Sequence, residues 1–122
     1  MMSKQILVIE DNEQNMYLVR YILQANGYEV LEATTGKDGI DMAIEHNPDL
    51  ILLDIQLPVM DGYAVARELR KHQDIVNTPI VAVTSYAMPG DRENVLAAGC
   101  TGYIEKPINP EIFMTQVNEF IE

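Results

Sequence analysis

Apolar residues fall in two spacings along the chain, and the two spacings alternate. The runs "QILVI" (5–9), "YEVLEA" (28–33), "LILL" (50–53), "IVAV" (80–83) and "GYI" (102–104) have strand length. Three of them are unbroken, as in strands covered on both faces. Between them lie amphipathic stretches of helical length at about 12–26, 36–46, 62–73, 90–98 and 110–121. Gly27 and Gly99 stand where helices end, and Asp11 or Asn12 where the first helix begins. Asn109-Pro110 offers a capping side chain followed by proline at the first helical position.

The order is therefore β-α five times over. Strict alternation with short links predicts an α/β fold, a doubly wound parallel sheet of five strands with helices on both faces. Ligands of such sheets bind outside the carboxyl ends of the strands. Beyond the alternation itself there is no linker, low-complexity segment or repeat, which predicts one domain over residues 1–122 with no output domain.

Composition narrows what such a domain can do. With 122 residues, 48% hydrophobic and 22% charged, the chain is long enough to bury a core without staples. Nineteen acidic residues against eight basic ones give a net charge of −11, which repels phosphate backbones and anionic lipid. Nucleic acid and membrane surfaces are poor partners for it. One cysteine forms no internal disulfide, no leader opens the chain and the apolar runs are too short to span a bilayer. The expected compartment is the cytoplasm.

Charged residues terminate the strands at their carboxyl ends. Strand one finishes "LVIED", giving Glu10 and Asp11; strand three finishes "LILLD", giving Asp54; strand four reaches Thr84, and strand five finishes "YIEKP", giving Lys106. Right-handed crossovers set strands one and three side by side, so Glu10, Asp11 and Asp54 are expected to converge. Like charges so close raise one another's pKa unless a cation joins them, and oxygen ligands on rigid strand ends suit Mg²⁺. Beside the metal an ionised aspartate acts as a nucleophile toward phosphorus, Lys106 neutralises a phosphoryl oxygen and the Thr84 hydroxyl donates to another. The site is built to receive a phosphoryl group.

The segments "VIEDN", "LLDIQLPVMDG", "VAVTSYA" and "YIEKP" resemble the motifs of the receiver domain of two-component response regulators, in order and over essentially the whole chain. The resemblance implies a flavodoxin-like (βα)₅ fold of strand order 2-1-3-4-5. It also implies phosphorylation of an aspartate by a histidine kinase or a histidine phosphotransfer protein. Residue by residue, Asp54 resembles the phosphoacceptor, Glu10 and Asp11 the acidic metal pair, and the Gln56 backbone carbonyl the third protein ligand of Mg²⁺. Thr84 is similar to the switch hydroxyl, Tyr103 to the aromatic that moves with it, and Lys106 to the phosphoryl-binding lysine. Lys106-Pro107 resembles the family's cis peptide. Glu10 departs from the commoner aspartate, and its longer side chain favours a water-mediated metal contact.

The plainer readings stand beside these. Asp11 or Asn12 caps helix one whatever else it does, and Tyr103 on a terminal strand is a packing residue as readily as a switching one. His46 and His72 read as surface residues at helix C-termini, and Cys100 as a small buried residue. In "LPVMDG", Pro58 stiffens the loop and Gly62 permits a close approach at the start of helix three. A haloacid-dehalogenase-like phosphatase would need an aspartate where Gln56 stands. A flavodoxin-like carrier would need a hydroxyl- and glycine-rich loop in place of "EDNEQN". A degenerate receiver would bind partners without phosphorylation.

The expected protein is thus not an enzyme but a stand-alone receiver, similar to the single-domain regulators of the cell-division type, monomeric or weakly dimeric. Its output is a contact with a downstream protein or onward phosphoryl transfer. Gln56 and Tyr86, two positions beyond Asp54 and Thr84, are expected to flank the path of an attacking water. In helix one, Met16, Val19 and Ile22 or Leu23 suffice to cover a sheet, yet Tyr17, Leu18 and Tyr21 add apolar surface. Part of that excess either tucks under helix five or docks the histidine-bearing partner beside Asp54.

Overall fold

The computed structural model describes residues 3–85 and 90–121. Five strands, β1 (Gln5–Ile9), β2 (Glu29–Ala33), β3 (Leu50–Asp54), β4 (Ile80–Thr84) and β5 (Gly102–Glu105), form one sheet ordered β2-β1-β3-β4-β5. Every neighbouring pair is parallel. The helices are α1 (Glu13–Ala25), α2 (Gly36–His46), α3 (Gly62–Leu69), α4 (Asp91–Ala97) and α5 (Phe113–Asn118), with a 3-10 turn at Gln73–Ile75. This is the flavodoxin-like (βα)₅ architecture, in the expected strand order.

The strands' two-residue period sorts the core into two layers. Leu7, Ile9, Ile51, Leu53, Ile80 and Ala82 face α2, α3 and α4, where Ile40, Val65, Leu69 and Val95 meet them. Ile6, Val8, Leu50, Leu52, Val81, Val83 and Ile104 face α1 and α5, where Met16, Val19, Leu23, Phe113 and Val117 meet them. The central strands β3 and β4 are buried along their whole length, which is why they read as unbroken apolar runs.

Helix ends follow from local chemistry. Asn12, Thr35 and Asp61 accept backbone N–H bonds from Asn15, Asp38 and Ala64 and so cap α1, α2 and α3. Gly27 and Gly99, at φ 88° and 110°, close α1 and α4. After each glycine the chain folds back, Tyr28 N–H donating to Leu23 and Cys100 N–H to Val95.

Two helices are shorter than their sequence patterns. The α3 pattern extends to 73, but the helix ends at Leu69 because the next residue, Arg70, turns its guanidinium onto the carbonyls of Ile75, Thr78 and Gly99. The α5 pattern begins at 110, but Asn109 first makes a tight turn. Its Oδ1 accepts from Glu111 N–H and its carbonyl from Ile112 N–H, and regular helix starts at Phe113. Cys100 is buried, and burial pushes its thiol up to about 11.

The loop after β3 holds an outlier: Val59, a fully exposed β-branched residue, has φ 67°. In this left-handed region a β-branched side chain costs roughly 1–2 kcal/mol, whereas asparagine tolerates it. Val59→Asn is expected to stabilise the protein by about 1 kcal/mol. The readout is a higher urea midpoint at unchanged slope, and a lower midpoint would show that the valine is not strained.

Candidate functional site

Strand alternation decides which side chains meet above the sheet. Ile6 and Val8 face the α1/α5 layer, and the next residue of that set is Glu10. Leu50 and Leu52 lead in the same way to Asp54, and Ile104 to Lys106. β1 and β3 are neighbours with Ile9 opposite Leu53, so Glu10 and Asp54 emerge side by side. Lys106 N–H donates to the Thr84 carbonyl at 2.8 Å, extending the ladder past β5, and the Lys106-Pro107 peptide is cis, as expected.

The three side chains close on one another. Lys106 Nζ lies 3.3 Å from Glu10 Oε1 and 3.3 Å from Asp54 Oδ1. Gln56 N–H donates to Asp54 Oδ1 at 3.0 Å, and Asn12 N–H to Glu10 Oε2 at 3.1 Å. Asp54 is 3% exposed and Glu10 4%, while Asp11 stands at the exposed rim. One oxygen from each of Glu10, Asp11 and Asp54 lies within 4.8 Å of the others. A cavity of about 620 Å³ opens above them, bordered also by Gln56, Lys106 and the first residues of α1. A cavity of similar size at the other end of the sheet, near Gln5 and Asp49, gathers no such cluster among the described residues.

Burial is the main force on Glu10 and pushes its carboxyl up to about 7. The Asn12 N–H opposes the rise, the Asp54 charge adds to it, and the Lys106 ammonium opposes it without offsetting it. Two buried carboxylates thus share one ammonium, with a third carboxylate beside them at the exposed rim. An all-oxygen donor set on rigid strand ends, with negative charge in excess, fits a hard divalent cation such as Mg²⁺.

The start of α3 is pressed against this site. A Cβ at Gly62 would lie 2.5 Å from Ile55 Cα and 2.6 Å from the Asp54 carbonyl oxygen, so only glycine lets the helix begin there. Thr84 is buried at the end of β4 and falls in the alternation of Ile80 and Ala82, on the α2/α3/α4 side. Tyr103 is half-buried and packs against that same layer, next to β4. Tyr86 lies outside the described residues.

Two local features carry no signal in the sequence. Ser85 Oγ donates to the Gln56 carboxamide oxygen at 2.7 Å, and the Asn12 backbone supports Glu10. A lone hydroxyl after a strand and an unremarkable amide N–H become visible only once the strand ends are placed.

The family model for the response regulator receiver domain matches residues 6–118. The chain belongs to this family. The polar-differentiation response regulator DivK of Brucella ovis is 41% identical over 120 residues, covering 98% of both chains, and its counterpart in Brucella anthropi is equally similar. Among solved structures, the chemotaxis protein CheY4 of Vibrio cholerae superimposes with a TM-score of 0.94 at 28% identity, covering 98% of this chain and 100% of that one. The receiver domain of a sensor histidine kinase from Pseudomonas aeruginosa, solved with a magnesium ion coordinated in its active site cleft, gives 0.89 at 34% identity over 98% of each. The family match takes the place of the phosphatase and flavin-carrier alternatives.

The raised carboxyl has a consequence for the metal-free receiver. Glu10 titrates near 4.5 unfolded and near 7 folded, so between those values the folded state holds a proton that the unfolded chain releases. The contribution of Glu10 to stability is full below about 4.5 and falls as pH rises toward 7, by up to about 3 kcal/mol. Glu10→Gln is expected to flatten that decline, and Mg²⁺ above neutral pH to recover it for the parent. Urea midpoints in EDTA from about pH 5 to about pH 8 check this, and parallel declines in parent and variant would remove Glu10 as the cause.

Proposed function

We propose that this receiver domain accepts a phosphoryl group on Asp54 from the phosphohistidine of a histidine kinase or a histidine phosphotransfer protein. The observation that carries the reading is the convergence of Asp54, Glu10, Asp11 and Lys106 in one cleft. An Asp54 oxygen attacks phosphorus, the phosphorus–nitrogen bond of the donor breaks, and the histidine leaves. Lys106 neutralises a phosphoryl oxygen, and the Gln56 N–H holds Asp54 in place. Glu10, Asp11, Asp54 and the Gln56 backbone carbonyl would hold Mg²⁺. Bound there, the ion would offset the carboxylate charge and polarise the incoming phosphoryl group.

Thr84 and Tyr103 form the switch in this reading. A hydroxyl drawn toward the phosphoryl group leaves the side of β4 on which Tyr103 packs, and the ring follows. The output is a contact with a downstream protein or onward transfer in a phosphorelay, by a cytoplasmic protein that is monomeric or weakly dimeric. No helix among the described residues is long and apolar enough to cross a membrane. The side chains of Gln56 and Tyr86 govern how long the acyl phosphate lasts.

Docking of the histidine donor falls to α1. Tyr17 and Tyr21 are 60% and 62% exposed, and their rings stack with centroids 6.3 Å apart. The Arg20 guanidinium lies 5.6 Å from the Tyr17 centroid and is itself held by Glu32 at 2.8 Å. Tyr17 shares a cavity wall with Glu10 and Asp11, beside the route to Asp54. Leu18, the third residue of the apolar excess, is half-buried against the α1/α5 layer and supports the fold. Preorganised aromatic pairs of this kind anchor helical partners.

Two experiments test these readings. Acetyl phosphate with Mg²⁺ is expected to add one phosphoryl group by intact mass, with EDTA or Asp54→Asn abolishing it; full labelling of Asp54→Asn removes the assignment. Tyr17→Ala with Tyr21→Ala is expected to slow transfer from the cognate histidine protein about tenfold or more while acetyl phosphate labelling proceeds as before. Equal slowing with both donors would assign the tyrosines to the fold.

A further inference from the structure

The hydrogen bond between Ser85 and Gln56 ties down a side chain that borders the cleft. Asp54 pairs with Val83 across β3 and β4, so Gln56 and Ser85, each two residues further on, leave the sheet at the same height. There Ser85 Oγ donates to Gln56 Oε1 at 2.7 Å. The root of Gln56 is fixed as well, because its backbone N–H is bonded to Asp54 Oδ1. Both residues are exposed, so the bond contributes little to stability, and its effect is placement.

We propose that Ser85 is a positioning residue that occupies the acceptor end of the Gln56 carboxamide and thereby prolongs the life of the phosphorylated receiver. This rests on Asp54 being the phosphoacceptor. In hydrolysis a water oxygen bonds to phosphorus. The bond from phosphorus to the Asp54 oxygen breaks with its electron pair returning to the carboxylate. Inorganic phosphate leaves with the water's hydrogens, one of which passes to solvent at neutral pH. An attacking water must turn a lone pair toward phosphorus and therefore needs acceptors for its hydrogens. A carboxamide has one acceptor oxygen and a donor NH₂ group. With the oxygen turned toward Ser85, Gln56 offers the cleft its donor end, which binds phosphoryl oxygens and competes for the water's lone pair. Releasing the oxygen turns the same side chain into an acceptor that orients the water for attack.

The test is the decay of the acyl phosphate after acetyl phosphate and Mg²⁺ are removed, followed by intact mass. Ser85→Ala is expected to take up one label like the parent and to lose it roughly three- to tenfold faster, the range set by one lost hydrogen bond. Ser85→Thr, which keeps the hydroxyl, is expected to decay at the parent rate. In a Gln56→Met background, Ser85→Ala is expected to add no acceleration. Equal decay of parent and Ser85→Ala, slower decay of Ser85→Ala, or the same acceleration in the Gln56→Met background each overturns the inference while leaving the phosphoacceptor reading intact. A parent that takes no label overturns both.

Discussion

Two carboxylates held almost dry around one ammonium set the terms for the rest of the molecule. Taking an ionised carboxylate out of water costs several kcal/mol, and a single Lys106 shared between Glu10 and Asp54 cannot offset two such costs. The remaining support comes from backbone. The Gln56 and Asn12 N–H groups point at Asp54 and Glu10 because the chain turns immediately after each strand, before either helix begins. A surface loop would leave the carboxylates solvated. Only strand ends of a sheet covered on both faces hold them this dry and this close, which is why β3 is apolar throughout and ends in aspartate.

Much of this was legible in the sequence because the governing periods are simple. Alternation of strand and helix gives the parallel sheet, neighbouring crossovers bring strands one and three together, and charged residues at the strand ends must then converge. The five strands agree with the sequence pattern to within a residue or two, since each apolar run is bounded by residues that cannot continue it. What the pattern misses depends on contacts distant in sequence. The end of α3 is set by Arg70 reaching carbonyls up to 29 residues away. The start of α5 is set by Asn109, a capping residue whose first turn is tighter than helix. Neither the Ser85 bond nor the left-handed backbone at Val59 has a signature, because nothing in a hydroxyl or a valine announces them.

The same two-residue period divides the labour between the faces of the sheet. Glu10, Asp54 and Lys106 continue the residues that face α1 and α5, whereas Thr84 and Tyr103 belong with those that face α2, α3 and α4. Charge collects on one side of the strand ends, and the buried hydroxyl and aromatic ring lie on the other, one strand apart. Helix α1 serves the charged side three times over. Its capping residue lends Glu10 an N–H, its inner stripe covers the sheet, and its outer Tyr17 borders the opening beside Asp11.

The two ends of the sheet are finished in opposite ways, and the contrast follows from the site. At the amino end of the strands, Arg70 gathers the segments before β4 and β5 by their carbonyls and Asp49 takes the Gln5 N–H, so backbone polar groups are satisfied by protein. At the carboxyl end the same strategy would fill the cleft. Contacts there stand around the cleft instead: the side-chain bond between Ser85 and Gln56, the missing Cβ at Gly62 that lets α3 press on Asp54, and the left-handed turn at Val59. Under the proposed function a phosphohistidine must reach Asp54, which is 3% exposed, and contacts placed around the cleft rather than across it leave that approach open.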